Sequence, residues 1–154
     1  GILRLHNVYG PPCEMSPEKS QVIPALCRKA IKYPEEKFVV WGSGNQRRAF
    51  LFVDDAVDAI VTAWDKGMGK GVIQIGPSES HSIAEIAEKI VNISGKEIQI
   101  TYDNSMPEGE KDRIADWSKA KKILRWYPKV LIHDGLRHTY EWSKKTLNGI
   151  PKSV

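Results

Sequence analysis

Apolar and polar positions along this chain fall into short blocks, and each block's period points to an element. Gly1 to His6, rich in Ile and Leu, predicts a buried strand. Residues 7 to 18 carry Tyr-Gly-Pro-Pro and no period, the mark of a long loop. A helix is expected from about Ser20 to Lys32, with Pro24 tolerable only in its first turn and Tyr33-Pro34 as its stop. "KFVVW", Lys37 to Trp41, reads as a strand, "GSGNQ" as a glycine-rich turn, and "RRAFLFV" as a second strand.

Asp54 and Asp55 then stand where a helix N-terminus prefers negative charge. Val57, Ile60, Val61 and Trp64 follow at helical spacing, which predicts one apolar face, and "KGMGKG" ends that helix. "VIQIG" is the next strand. Ser82 and Glu85 have capping-box spacing, with Ile83, Ile86, Ala87, Ile90 and Val91 expected inward and Gly95 closing the helix. "EIQITY", Glu97 to Tyr102, alternates like a half-buried strand, and residues 103 to 112 are polar loop. A short helix is expected over Ser118 to Leu124 and a final one from about Asp134 to Leu147, carrying Leu136, Tyr140 and Trp142. Mixed strands and helices define an α/β fold of the α+β kind. Trp64 and Trp142 read as core, and Trp41, just ahead of the glycine turn, as a residue that could flank a ligand ring.

Composition alters this picture little. With 154 residues, 41% of them hydrophobic and 27% charged, one globular domain with a real core is expected. The net charge of +4 is spread out, and its densest run, Lys119 to Arg125, reads as a solvated helix face. That argues against nucleic acid as a partner and fits a small phosphorylated ligand better. No apolar run reaches the roughly 20 residues that span a bilayer, so no membrane is expected. Cys13 and Cys27 make neither a metal spacing nor a disulfide framework, and a reducing cytoplasm is the natural setting. His133 and His138 lack an acidic third partner, so no metal is expected either.

Four features carry candidate chemistry. Glu18 and Lys19 read either as a coupled acid and base or as a surface ion pair at a helix start. Arg47 and Arg48, just past the glycine turn, read either as solvated arginines of a hairpin or as forks for a phosphate or carboxylate. Arg113 sits in a polar loop and has no signature of its own. Cys13 shares the loop of Glu18 and Lys19 and is either a reactive thiol or an indifferent exposed one.

Taken together, "RLHNVYGP", "WGSGNQRRAFLFVDDAVDAI", "VIQIG", "SIAEIAEKI", "ADWSKAKKILRWYP" and "GLRHTYEW" resemble, in order and spacing, the C-terminal half of the extended short-chain dehydrogenase/reductases. These are the NAD-dependent nucleotide-sugar epimerases and dehydratases, and the resemblance is greatest to the GDP-mannose 3,5-epimerases. The dTDP-glucose 4,6-dehydratases and GDP-fucose synthases share several of the motifs. The resemblance implies an incomplete version of that fold, with residues 1–10 as the last core strand of a truncated Rossmann domain and 11–154 as a sugar-nucleotide-binding domain. It implies Lys19, with Glu18 beside it, as the proton-transferring pair, and Asn7, Gln46, Arg48 and Arg113 as substrate-binding residues. The two arginines would clamp the diphosphate, and His6 would lie near the nicotinamide edge. The family's usual aspartate after the clamp arginine is Ala49 here.

The family's glycine fingerprint for NAD does not occur in these 154 residues, and the Tyr-to-Lys stretches that do occur lie in the wrong context for the family's Tyr-x-x-x-Lys pair. The resemblance therefore implies a parent enzyme that binds NAD and forms a homodimer, and a part that is inactive alone. A catalytically silent sugar-nucleotide-binding module is the alternative.

Overall fold

The structure, a computed structural model, describes residues 1–149, so the end of the expected second region, 150–154, lies outside it. The order is β1 (Ile2–Leu5), β2 (Val8–Tyr9), α1 (Val22–Lys32), β3 (Val39–Trp41), β4 (Arg47–Arg48), β5 (Leu51–Phe52) and α2 (Val53–Lys66). There follow β6 (Val72–Ile75), β7 (His81–Ser82), α3 (Ile83–Ser94), β8 (Thr101–Asp103), β9 (Asp112–Arg113), a π-helical turn (Ala120–Leu124) and α4 (Ile132–Leu147). The fold is mixed α/β, with small and mostly parallel sheets: β1 with β6, β2 with β5, and β3 with β8. In the fourth sheet β4 lies between β7, antiparallel, and β9, parallel. The run "RRAFLFV" is thus two strands broken at Ala49-Phe50, and of "EIQITY" only Thr101 and Tyr102 are in strand.

Two hydrophobic clusters hold these elements. The first joins α1, α3 and α4 through Ile23, Leu26, Ile86, Ile90, Leu136 and Tyr140, with Phe38, Val40 and Phe50. α3 supplies it as its spacing predicts. The Ser82 hydroxyl accepts the Glu85 N–H at 3.1 Å, the Glu85 carboxylate accepts the Ser82 N–H at 3.1 Å, and Gly95 closes the helix at φ 66°. The second cluster packs Ala56, Ala59 and Ala63 of α2 onto Ile73 and Ile75 of β6, with Leu124 and Trp126 beside them and Leu3 and Val8 at its margin.

Three expectations from the sequence are corrected. The large apolar stripe of α2 faces outward: Val61 is 65% and Trp64 82% exposed, and the alanines face the core. Residues with only a Cβ let the helix lie close on the β6 isoleucines, which Val57 or Ile60 would hold apart. β1 is not buried, because it has one neighbour strand and Ile2 remains 61% exposed. Trp64 is no core residue and Trp142 is only half-buried, while Trp126 fills the tryptophan position of the second core.

Asp55 joins the two halves. Buried at the start of α2, its carboxylate accepts the N–H groups of Lys129 (3.0 Å) and Val130 (2.9 Å). That bond fixes the approach to α4, whose Gly135 packs against the Tyr9 hydroxyl and Phe52 ring.

Candidate functional site

A cavity of about 930 Å³ opens between the loop after β2, the start of α1 and the glycine turn after β3. Its loop wall, residues 12 to 20, is anchored by a buried guanidinium. Arg28 pairs with Glu36 at 2.9 Å, and its other nitrogen donates to the Met15 carbonyl and the Ser20 hydroxyl, each at 3.0 Å. α1 begins at this cavity with no acidic residue and no side-chain cap in its first turn, so its N-terminal amides and dipole favour an anion there.

The sequence-predicted residues divide. Lys19 lines the cavity, as do Cys13 and Glu14, whereas Glu18 is exposed and does not. No ion pair joins Glu18 to Lys19 among the described residues, so the surface-pair reading of these two is not what forms. Hydrogen bonds from Ser16, and to a lesser degree the Lys19 charge, hold the Glu14 carboxyl below the ordinary range. Cys13 is half-buried, and burial pushes its thiol up, away from the thiolate that reactivity requires.

Asn7 lines the cavity but turns its amide to the Ala49 carbonyl at 3.0 Å, which ties β2 to the β4–β5 break. His6 does not line the cavity, and its ring bonds the Gln74 side chain at 2.9 Å. Gln46 and Arg48 both line it. The Gln46 amide nitrogen donates to the Trp41 carbonyl at 3.3 Å, and Arg48 donates to the carbonyls of Arg47 and Glu110, each at 2.7 Å. Arg113 is outside the lining but stands directly opposite Arg48 in the paired strands β4 and β9. Neither arginine pairs with a carboxylate among the described residues. Arg47 does, with Glu85 at 3.1 Å, and so serves the α3 cap.

Two lining residues escaped the sequence reading. Lys29 donates to the Val39 carbonyl at 2.6 Å, and burial pushes its ammonium below the ordinary lysine range. Its place beside Arg28, between Cys27 and Ala30, is its only signal. Glu108 reaches from the polar loop to the glycine turn and accepts the Ser43 N–H, a pairing across 65 positions that nothing local announces.

The site, the parallel strand pairs and the two facing arginines suit a protein that binds a diphosphate-bearing ligand. The NAD dependent epimerase/dehydratase family matches residues 1–76, and the chain belongs to this family of extended short-chain dehydrogenase/reductases. It is 39% identical over 144 residues to GDP-L-fucose synthase 1 of Arabidopsis thaliana, covering 92% of this chain and 44% of that protein. To the GDP-mannose 3,5-epimerase of the same plant it is 33% identical over 146 residues, 95% and 38% of the two chains. The solved UDP-glucose 4-epimerase of Thermotoga maritima, with UDP-glucose, superposes with a TM-score of 0.86 at 31% identity, covering 94% and 46%. The chain therefore spans less than half the length of these relatives. The fucose synthase is more similar than the 3,5-epimerase, and the chain resembles both over nearly its whole length.

The described residues do not fit the family's NAD. The two junctions where a strand runs directly into a helix, β5 into α2 and β7 into α3, carry no glycine. The first opens on Asp54 and Asp55, and the amides of the second are taken by the Ser82–Glu85 box.

Proposed function

We propose that this chain is the nucleotide-sugar-binding part of an NAD-dependent epimerase, or an epimerising relative, that acts on a GDP-linked hexose. In this reading residues 1–10 are the last strand of the cofactor domain and 11–154 the substrate domain, and the complete enzyme carries the NAD and the redox chemistry. The observation that carries it is the Arg48–Arg113 pair. Two guanidinium-bearing residues in register at the cavity margin, both without a carboxylate partner among the described residues, call for an anion, and a diphosphate offers an oxygen to each. Lys19 on the loop wall is the group for proton transfer at the sugar. Asn7 bounds the sugar end, and His6 lies at the end of β1 that would meet the nicotinamide. The 3,5-epimerase and fucose-synthase readings share this division, and the higher identity to the synthase favours the second.

Calorimetric titration of GDP-mannose into the chain tests the reading. Saturable binding is expected, and Arg48→Ala should weaken it about 10- to 100-fold, as loss of one or two charge-assisted bonds implies. Absence of binding to the unaltered chain would refute it.

A further inference from the structure

A second cavity, of about 550 Å³, lies on the π-helical turn and the segment that leaves it, and it shares no lining residue with the first. That volume is in the range of small-molecule sites. Its walls are Trp117, Lys121, Arg125, Tyr127 and Pro128, so aromatic rings and cations line it and no carboxylate does. Neither Lys121 nor Arg125 pairs with an acid among the described residues. Asp116, the acid beside Trp117 in sequence, gives its carboxylate to the Ser118 N–H at 3.0 Å.

The walls are set before any ligand arrives. Trp117 packs against the second core with its ring edge-on to buried Trp126, the centroids 6.5 Å apart. The Lys121 N–H donates to the Trp117 carbonyl at 3.0 Å, and the Lys121 ammonium stands 5.7 Å from the Trp117 ring centre. Tyr127 is 57% exposed. Arg125 closes the turn at φ 55° and ψ 33°, the one residue other than glycine with a positive φ among the described residues. Glycine adopts that left-handed conformation without the Cβ clash that arginine meets there. Backbone strain of this kind points to a use for the side chain.

We infer that this cavity is a second binding site, for a nucleoside monophosphate, with the base against Trp117 and Tyr127 and the phosphate met by Lys121 and Arg125. Aromatic side chains stack on any base, because every base has a π-face. The arginine fork matches two phosphate oxygens, and the lysine adds a point charge. A bare anion would leave both rings unused, and an uncharged ring would leave both cations unused. The inference stands apart from the nucleotide-sugar reading, whose residues all belong elsewhere.

The test is titration of AMP into the full 154-residue chain, followed by calorimetry and by NMR of the tryptophan indole N–H groups. Saturable binding with a Kd of about 1 mM or tighter is expected, with a shift of the Trp117 signal. Adenosine, which lacks the phosphate, and ribose 5-phosphate, which lacks the base, should each bind at least about 5-fold more weakly. Arg125→Gly should weaken AMP about 5-fold without lowering the thermal midpoint, since glycine suits the left-handed backbone. Tyr127→Ala, at an exposed position, should weaken it about 5-fold with the fold unchanged. Absence of saturable AMP binding would overturn the inference. So would a shift confined to Trp41, which lines the first cavity, or AMP affinity unchanged in both variants. Adenosine or ribose 5-phosphate binding as tightly as AMP would overturn it too.

Discussion

α2 and α3 carry the same spacing of large apolar residues and use it in opposite ways. On α3 Ile83, Ile86 and Ile90 face the core, and the helix is bracketed by its own cap. On α2 the equivalent stripe of Val57, Ile60, Val61 and Trp64 faces away, the alanines join the core with the β6 isoleucines, and Asp55 bonds the approach to α4. Periodicity reports that a helix has an apolar side. It does not report which neighbour lies there, and a helix with small residues on one face and large ones on the other can be covered on both.

Three substitutions probe the contrast. Ile86→Ala removes a fully buried side chain from the first core and should destabilise the fold by about 2–5 kcal/mol in denaturant unfolding. A smaller loss would mean that α3 is not the helix on which that core depends. Asp55→Ala should cost about 3 kcal/mol, because it strands the buried amides of Lys129 and Val130. Retention of full stability would show that α2 is held by its alanines alone. Val61→Lys, on the outward stripe, should change stability by no more than about 0.5 kcal/mol while reducing self-association in sedimentation velocity. A loss as large as that at Ile86 would erase the distinction between the two faces.

What could be read from the sequence follows the distance over which each feature is decided. The Ser82–Glu85 box spans three positions and was legible, as was the final helix with its Leu136 and Tyr140. The inward face of α2 was not, since alanine carries almost no hydrophobic signal and its value lies in how near it lets a helix approach. β1 looked buried because its residues are apolar, but burial is decided by what packs upon it. At the site, Gln46, Arg48 and Lys19 line the cavity that the motifs led one to expect, whereas Lys29 and Glu108 belong to it only through contacts made across the fold. Lys29 resembles any helical lysine until β3 is laid beside it.

The buried Arg28 has a consequence for how tightly any ligand could be held. By fixing Met15, Ser20 and Glu36 at once, it immobilises the loop wall before a ligand arrives. Ordering a free loop would oppose association by roughly 1–2 kcal/mol for every residue stilled. Here that entropy is lost when the chain folds, so the cavity meets its ligand preorganised, and its contacts can count almost in full toward affinity.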